Sequence, residues 1–446
     1  MGPKRADKKR VDKVTELTRR SFLAASAASA AWLALGGCSS SSDDSKRGAA
    51  SKSTTSLLPA PKTAPFDTVV VLMLENRSFD HLLGWVPGAN GKQAGPTYPD
   101  LHGQPAPTYA IGNDFQACGD KDPSHDWQSM VKQYNGGKCD GWLQTQTTGD
   151  HFPIGYYERA QVPILGALAS SYTLFDSYHC SLMAATWPNR FYMLCAATDV
   201  DETGGSYPST IAERPSKLDL AIFDRVRGAG LTTGYYQWGE PMTGLFQSAR
   251  YDNITYPIAK FYDDAKAGTL PNVTFVEPDF TTIAEFLGTS NDYHPHGNIQ
   301  VGEGYLAQVY EALRSSPQWD RMVFVVNFDE NGAFYDHVVP PSVTDDNVNP
   351  NPGPHPNYKQ LGFRVPCIAI GPFAPQKIET NGPYEHCSIL KMIEWRWGLE
   401  PMTARDANAR NLAEALDFST RREAVDLPAF APPANTACPH PTVALA

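Results

Sequence analysis

The pattern of hydrophobic and polar positions contains two long apolar runs, Thr68–Leu74 and Met322–Phe328, each rich in Val, Met or Phe. Continuous apolar runs of this length are typical of strands that are buried on both faces of a parallel sheet. Other apolar runs and helical periodicities predict further strands at 232–236, 273–276 and 362–370, and helices at 78–83, 164–169, 189–196, 302–313 and 388–397. Because strands and helices alternate, we expect an α/β fold with a mostly parallel central sheet and helices on both faces.

Oxygen-bearing side chains follow both long runs, at the point where each predicted strand ends. Glu75-Asn76 follow the first run, and Asp329-Glu330 follow the second. Because ligands bind beyond the carboxyl ends of the strands in open α/β sheets, we expect these four side chains to lie close together. Their carboxylate and amide oxygens suit one hard divalent cation, Ca, Mg or Mn, rather than zinc in a thiolate site. The alternative is that each pair simply begins a loop or caps the following helix.

The first 37 residues have the composition of an export signal. Six basic residues lie within 4–13, the pair Arg19-Arg20 precedes Ser-Phe-Leu, and a weakly apolar run covers 24–35. The apolar run is too short to cross a bilayer, so the segment 1–37 predicts a secretory signal. The twin arginine indicates the twin-arginine export route, which would place the mature protein in the periplasm or at the cell surface.

Cys38 ends a Leu-Gly-Gly-Cys sequence that resembles a bacterial lipobox. The resemblance predicts that Cys38 is lipidated and anchors the mature protein to a membrane; the alternative is an ordinary signal and a secreted protein. The following segment, 38–64, contains a Ser-, Asp- and Lys-rich stretch and predicts a flexible tether. We expect one catalytic domain over 65–426, followed by a Pro- and Ala-rich tail over 427–446.

The charge of the chain argues against one class of partner. The formal net charge is −11, and removing residues 1–37 leaves 29 basic and 45 acidic residues, a net charge of −16. A surface this acidic argues against the binding of nucleic acid through its phosphates. It also argues against electrostatic adhesion to anionic lipids, so membrane contact would come from the lipid anchor or from the site.

Seven cysteines follow Cys38 in the sequence, without any C-x-x-C pair, and this pattern argues against a zinc ribbon. Export permits disulfides. We expect a bridge between Cys118 and Cys139, which lie close together in a Gly-rich polar stretch. The odd number leaves at least one thiol unpaired, and the sequence leaves the oligomeric state open.

Thr186 precedes Trp187-Pro188-Asn189 at the start of a predicted helix. A Thr before a Pro in the first helical turn commonly caps the helix, and capping is the structural alternative here. A hydroxyl at a helix N-terminus also lies where free N–H groups and the helix dipole stabilise an anion. Thr186 is therefore a candidate nucleophile toward phosphorus, which a bound cation would activate.

Three histidines in polar loops are candidate acid–base or phosphate-binding groups. His294 and His296 flank one Pro in the segment 291–297, and His125 lies in the Gly-, Pro- and Asp-rich region 84–150. Imidazoles held in this way can protonate a leaving alkoxide or neutralise phosphate charge. The alternative is that each is an ordinary solvent-exposed loop residue.

Four segments carry a resemblance to a known family. They are E-N-R-S-F-D-H at 75–81, T-x-P-N-R at 186–190, N-D-x-H-P at 291–295 and D-E-x-G-x-F-Y-D-H at 329–337. In this order they resemble the phosphoesterase family that holds bacterial phospholipases C, plant non-specific phospholipases C and a bacterial acid phosphatase. The chain departs from the family pattern at Asn331 and Ala333, where His and Gly are usual, so we expect changed contacts behind the ligands rather than an inactive site.

The resemblance implies an alkaline-phosphatase-like fold that holds one divalent metal ion. The metal ligands that it implies are Glu75, Asn76, Asp329, Glu330 and the hydroxyl of Thr186. Thr186 would form a phospho-enzyme that water then cleaves, with His294 as the acid for the leaving group. The resemblance implies that Asn189, His125 and His294 face the phosphate. Arg190, Asp292 and His296 are further candidates for substrate binding.

Three functions follow as alternatives. The first is phospholipase C-type cleavage of phospholipid to diacylglycerol and a phosphorylated head group. The second is hydrolysis of phosphate monoesters by an acid phosphatase. The third is a non-catalytic lipoprotein that uses the fold to bind a ligand.

Overall fold

The computed structural model describes residues 58–147, 149–199, 218, 220–239, 241–246, 249–347 and 356–439. The predicted export signal, Cys38 and most of the predicted tether lie outside these residues, as does the end of the tail. The helices in the described ranges are all too short or too polar to cross a membrane.

The described strands are seven residues long at most. In chain order they are β1 (Thr68–Leu74), β2 (Thr97–Pro99), β3 (Pro105–Pro107), β4 (Tyr109–Ala110), β5 (Gly155–Tyr156), β6 (Thr173–Phe175), β7 (Tyr178–His179), β8 (Thr233–Gln237), β9 (Thr255–Pro257), β10 (Val273–Val276), β11 (Met322–Phe328), β12 (Cys367–Ile370), β13 (Lys377–Glu379) and β14 (Tyr384–Glu385).

The described α-helices range from one turn to more than four. In chain order they are α1 (Phe79–Leu83), α2 (Trp127–Tyr134), α3 (Pro163–Ser171), α4 (Thr186–Cys195), α5 (Ile222–Gly228), α6 (Ile258–Ala267), α7 (Thr282–Leu287), α8 (Ile299–Arg314), α9 (His386–Trp397) and α10 (Ala404–Asn408). Polar side chains begin several of them: Ser78 caps α1, Asp126 caps α2 and Asn298 caps α8.

Eight of the described strands form the central sheet, in the order β13-β6-β12-β11-β1-β10-β8-β9. β1 pairs in parallel with β11 on one side and with β10 on the other, whereas β12 is antiparallel to both of its neighbours. Every residue of β1 and of β11 is buried, so side chains cover both faces of the sheet. The predicted α/β class with a mostly parallel sheet is confirmed, and both long strands have the predicted bounds.

One predicted strand begins later than expected. The prediction 362–370 is correct only from Cys367, because Pro366 has no N–H group to continue the ladder. The residues before it pair elsewhere: Cys180 N donates to Phe363 O at 3.0 Å, and Val365 N donates to Tyr178 O at 3.0 Å. This segment therefore ties the sheet to the loop that leads to α4.

The predicted disulfide is wrong. Cys118 is bonded to Cys438, at a sequence separation of 320 residues and a Cα–Cα distance of 5.6 Å. Cys139 is instead a free, buried thiol packed in a small apolar cluster with Trp142 and Phe363. Proximity in sequence misled the prediction, because the tail returns across the fold to reach the loop of Cys118.

The two ends of the predicted catalytic domain are held by contacts. At the amino end, Leu58 and Ala64 pack on the main core, although both fall within the predicted tether. Near the carboxyl end, Val425 O accepts a hydrogen bond from Tyr310 on α8 at 2.7 Å. The described part of the tail is mostly exposed, as expected, and is fastened at Cys438.

Candidate active site

The sheet brings the two predicted ligand pairs together at one edge. In the register of β1 and β11, Leu74 lies opposite Phe328, so the residues that follow them, Glu75 and Asp329, leave the sheet side by side. The backbone N–H of Asn76, which has a positive φ of 54°, donates to Oδ1 of Asp329 at 3.1 Å. All four predicted strand-end ligands are buried. This geometry brings Glu75, Asn76 and Asp329 together, whereas Glu330 Oε2 accepts from the backbone N–H of Gly332 at 2.6 Å. The binding of a metal ion by the four residues stays a prediction.

Arg190 lies among these carboxylates. Its guanidinium donates to Oε1 of Glu75, with Nε at 2.9 Å, and lies 3.6 Å from Oδ2 of Asp329 and 3.5 Å from Oε1 of Glu277. Burial raises the pKa of Glu75 well above its ordinary value, and the charge of Asp329 raises it further, against the lowering effect of Arg190. The edge thus concentrates negative charge that one arginine only partly offsets.

The donor set at this edge fits a hard divalent cation. Asn76 Oδ1 and Asp329 Oδ2 are buried oxygens that accept no hydrogen bond from the described residues. Buried polar atoms are normally satisfied, and leaving them without a partner is costly. Carboxylate, amide and hydroxyl oxygens are the ligands that Ca, Mg and Mn prefer. Glu75, Asn76, Asp329 and Glu330 would hold such an ion.

Thr186 is the first residue of α4, and its hydroxyl points to the same edge. It donates to Oε2 of Glu75 at 3.0 Å. The N-cap position of α4 belongs to Ala185, without a capping side chain, so the hydroxyl of Thr186 does not serve as the cap. This excludes the capping alternative and leaves the hydroxyl beside the ligands.

Asn189 shapes the turn that presents Thr186. Its Oδ1 accepts from Leu182 N at 2.9 Å, and its Nδ2 donates to Leu182 O at 3.2 Å and to Ala184 O at 2.7 Å. The side chain therefore fixes the backbone ahead of α4. The predicted contacts of Asn189 and Arg190 with substrate stay predictions, since both side chains already bond to the protein.

His125 and His294 lie next to the strand-end ligands. His125 Nε2 is 3.4 Å from Nδ2 of Asn76, and the ring centroids of the two histidines are 5.8 Å apart. Asp292 connects His294 to the edge, because its carbonyl accepts from Glu75 N at 2.8 Å and its Oδ1 accepts from His294 N at 2.8 Å. Burial lowers the pKa of His294, against the opposing charge of Asp122.

His296 faces in another direction. Its Nδ1 lies 2.9 Å from Ala117 O and 3.3 Å from Gln116 O, next to the disulfide at Cys118. These contacts join the loop of His296 to the loop of His125. A substrate-binding role for His296 stays a prediction. In the structure its contacts hold two loops together.

Two acidic residues of the site escaped the sequence analysis. Glu277 directly follows β10, as Glu75 follows β1, and its buried carboxylate accepts from the Tyr235 hydroxyl as well as from Arg190. The rule that located the strand-end pairs would have found it if applied to this shorter strand. Asp122 lies three residues before His125, with its Oδ2 4.0 Å from His294 Nε2.

The two departures from the family pattern lie directly behind the ligands. Asn331 Nδ2 donates to Phe334 O at 3.0 Å, which closes the turn after Glu330. Ala333 is buried and has a φ of 58°, in the left-handed region that favours glycine. The turn keeps the backbone that glycine usually supplies, and the ligands stay in place.

Comparison with known proteins agrees with this geometry. Residues 66–400 match the family model described as the Phosphoesterase family. The chain belongs to this family. It is therefore a phosphoric ester hydrolase.

Curated relatives cover most of the chain. Phospholipase C A of Mycobacterium tuberculosis is 32% identical over 415 residues, which cover 79% of this chain and 77% of that protein. Non-specific phospholipase C6 of Arabidopsis thaliana is 32% identical over 391 residues, which cover 80% of this chain and 73% of that protein. Among solved structures, this chain is similar to a Vibrio parahaemolyticus protein in the alkaline phosphatase superfamily. The two chains are 12% identical with a TM-score of 0.36, and the match covers 80% of this chain and 71% of that one.

Proposed function

We propose that this phosphoesterase is a phospholipase C that cleaves phospholipid to diacylglycerol and a phosphorylated head group. One observation carries the proposal: the hydroxyl of Thr186 donates to Glu75 at an edge lined by buried oxygens that suit a metal ion. The relatives named phospholipase C in a bacterium and in a plant support the choice of substrate class.

Thr186 is the proposed nucleophile. Its oxygen attacks phosphorus, a Thr186–phosphate bond forms, and the bond from phosphorus to the diacylglycerol oxygen breaks. Glu75, which already accepts the hydroxyl hydrogen, orients the attacking oxygen and is placed to take its proton. A divalent ion at the strand ends would stabilise charge on the phosphoryl oxygens. Water then cleaves the phospho-enzyme and releases the phosphorylated head group.

His125 and His294 are proposed to flank the transferred group, on the side of the leaving oxygen. Asp292 holds the backbone of His294 beside the edge that carries Glu75. Arg190 and Asn189 position α4 and the ligands through the contacts described above. The leaving oxygen needs a proton, and we propose that one of these two imidazoles donates it.

Substrate comparison tests the proposal. We expect the mature chain to hydrolyse p-nitrophenylphosphorylcholine and to release diacylglycerol from phosphatidylcholine micelles, with loss of both activities in EDTA. Thr186→Ala should remove turnover by several orders of magnitude, Thr186→Ser should keep part of it, and enzyme quenched in turnover should carry phosphate on the peptide of Thr186. Hydrolysis confined to p-nitrophenyl phosphate would instead make it an acid phosphatase. Inactivity on all three substrates would favour a ligand-binding lipoprotein.

The place of action is a separate proposal. Arg19-Arg20 are proposed to direct twin-arginine export, and Cys38 to become the lipidated first residue of a membrane-anchored protein. Several acyl chains on Cys38 would hold the protein firmly, whereas one chain would hold it reversibly. Cys38→Ala should release the enzyme from membranes without loss of activity on a soluble substrate. A native protein that is soluble and begins downstream of Cys38 would contradict the anchor.

A further inference from the structure

We propose that the exposed apolar face of α7 docks the protein onto a surface of zwitterionic phospholipid, beside the site. Ile283, Phe286 and Leu287 of this helix are 72%, 53% and 37% exposed. They are spaced three and four positions apart, so they share one face of the helix. The part that this surface plays in catalysis rests on the proposed function, because the substrate would then be a component of the surface itself.

Exposed apolar side chains are concentrated at this place. Among the described residues, eight large apolar side chains are exposed, and four of them are the three of α7 and Trp238, which is 47% exposed. The loop of Trp238 packs against the start of α7, since a Cβ added at Gly239 would collide with Cγ2 of the N-cap residue Thr281. Single exposed apolar residues are ordinary, whereas a group of them marks an interaction surface. We call these four side chains the α7 patch.

The other side of α7 faces the site. Burial raises the pKa of the Glu285 carboxyl well above its ordinary value, and the nearby charges of Asp292 and Asp122 raise it further. Ala284 is buried as well. A surface helix of a globular protein normally turns its apolar face to the core and its charged residues to water. α7 does the reverse, which is the arrangement expected of a helix that contacts an apolar phase.

An aromatic pair connects the α7 patch to the proposed nucleophile. Phe280, which precedes the N-cap residue of α7, packs on Trp187 with the ring centroids 5.7 Å apart. Trp187 directly follows Thr186 in the chain. Apolar side chains of a docked helix enter a lipid surface to about 5–10 Å, the boundary between head groups and acyl chains. The phosphate ester that a phospholipase C cleaves lies at this boundary, so docking on the patch would bring it close to Thr186.

Both ends of α7 are fixed, so its exposed face is held in place before any lipid arrives. At the first turn, Oγ1 of Thr281 accepts from Ala284 N at 3.2 Å. At the last turn, Leu287 O accepts from the N–H of Cys438 at 2.9 Å, and Cys438 is bonded to Cys118. A surface that is already ordered loses little conformational entropy when it binds.

The charges near α7 favour zwitterionic lipid over anionic lipid. Residues 267–313 contain six acidic residues and no Lys or Arg. Adhesion to anionic lipid relies on Lys and Arg, which this segment lacks. A zwitterionic surface has no net charge to repel the acidic residues, and its quaternary ammonium groups are attracted to the face of an aromatic ring such as that of Trp238.

Vesicle binding tests the surface on the mature chain. Cys38→Ala is included so that no lipid anchor contributes, and Thr186→Ala so that the vesicles are not consumed. We expect this protein to sediment with phosphatidylcholine vesicles. Adding Ile283→Gln and Phe286→Gln should weaken binding about tenfold to a hundredfold, because each apolar side chain withdrawn from lipid costs about a factor of ten or more.

The matched control is Leu101→Gln, which replaces an exposed leucine between β2 and β3 and should bind as the parent does. Thermal unfolding checks that all of the variants are folded. Equal binding by the double variant and the control, or tighter binding to phosphatidylglycerol than to phosphatidylcholine vesicles, would overturn the proposal. Self-association through Ile283 and Phe286 without vesicle binding would assign the patch to a second copy of the chain and would also overturn it.

Fluorescence identifies the face that meets the lipid. Phosphatidylcholine with brominated acyl chains should quench tryptophan fluorescence, and the quenching should be smaller in Trp238→Phe. Equal quenching with and without Trp238 would place another face of the protein on the lipid and contradict the docking surface.

Turnover separates docking from chemistry in the chain with Thr186 intact. Ile283→Gln with Phe286→Gln should lower the ratio of turnover on phosphatidylcholine vesicles to turnover on soluble p-nitrophenylphosphorylcholine at least tenfold. Equal losses on both substrates would show that the two residues support the site, and would overturn the proposal. Unchanged turnover on vesicles would overturn it and leave the proposed function standing. A protein that hydrolyses neither substrate but binds vesicles through Ile283 and Phe286 would support the surface and refute the proposed function.

Discussion

The hydroxyl of Thr186 lies 3.0 Å from Oε2 of Glu75 and donates to it, which joins the first turn of α4 to the end of β1. The two residues are 111 positions apart in sequence. Glu75 also accepts a hydrogen bond from Arg190, so each oxygen of its carboxylate has a donor. The proposed nucleophile is therefore oriented by a group that is itself a proposed metal ligand.

Hydrolysis should depend on the strand-end ligands. Asp329→Asn should remove bound divalent metal and reduce turnover by orders of magnitude with the fold retained, because the residue lies beyond the strand and outside the apolar core. Metal content and kcat/KM on p-nitrophenylphosphorylcholine measure this. Asp67→Asn, at the opposite end of β1, is the matched control and should behave as wild type. Full activity with unchanged metal in Asp329→Asn would contradict the assignment.

Arg190 should contribute most to the stability of the fold when no metal ion is bound. It is the buried cation among Glu75, Glu277 and Asp329, so Arg190→Met leaves these carboxylates unpaired and should lower the free energy of unfolding by about 3–5 kcal/mol. Excess Mn²⁺ should restore more stability to this variant than to wild type, because the ion replaces the lost charge. Thermal unfolding in EDTA and in Mn²⁺ measures both effects.

The control for this prediction is Arg314→Met, which removes a partly exposed arginine that pairs with Glu311 on the surface of α8. Surface pairs contribute about 0–1 kcal/mol, so this variant should unfold close to wild type with or without metal. An equal loss in the two variants would show that Arg190 does not act through the site.

Much of the fold and of the strand-end site could be predicted from the sequence. The bounds of β1 and β11 follow from apolar runs long enough to be read without ambiguity, and a parallel sheet necessarily brings their carboxyl ends to one edge. Glu75 and Asp329 were found for this reason. Thr186 was found because its motif is recognisable, although Ala185 and not Thr186 occupies the cap position.

What could not be predicted depends on loops that meet only in the folded chain. Asp122 carries no periodic signal, and only the meeting of its loop with that of His294 gives it a partner. The predicted disulfide paired Cys118 with Cys139 because the two are close in sequence. The prediction failed because the tail crosses the fold and places Cys438 beside Cys118, so that sequence separation is a poor guide to distance here.

Reduction should loosen the loop that carries His125. Cys438→Ser removes the bridge to Cys118 and should lower the free energy of unfolding by about 2–5 kcal/mol. It should also reduce kcat/KM, because Cys118 lies seven residues before His125. Dithiothreitol should bring wild type to the level of the variant and leave the variant unchanged. Peptide mapping that joins Cys118 to Cys139 would contradict the pairing.

The protein should become more stable when Ala333 is replaced by glycine. Its φ of 58° places it in the left-handed region, which costs a residue with a Cβ about 1–2 kcal/mol relative to glycine. Part of this gain is lost to the greater freedom of glycine in the unfolded chain, so Ala333→Gly should stabilise by about 1 kcal/mol or less. Ala369→Gly, in the extended strand β12, should destabilise. Urea unfolding of both variants measures the difference, and a loss at both positions would contradict the argument.

A buried acid far from the site should make stability fall as pH rises. Burial, together with the nearby charge of Asp406, raises the pKa of Glu394 on α9 from 4.5 to about 9. Between these values the folded chain holds a proton that the unfolded chain has released, so the stabilisation present below pH 4.5 is lost progressively as pH rises toward 9. Glu394→Gln removes this dependence. The free energy of unfolding of the variant minus that of wild type, measured in urea, should therefore increase from pH 5 through pH 7 to pH 9. Glu423→Gln, at an exposed position, should show no such trend. A constant difference between Glu394→Gln and wild type across this range would mean that Glu394 ionises alike in both states.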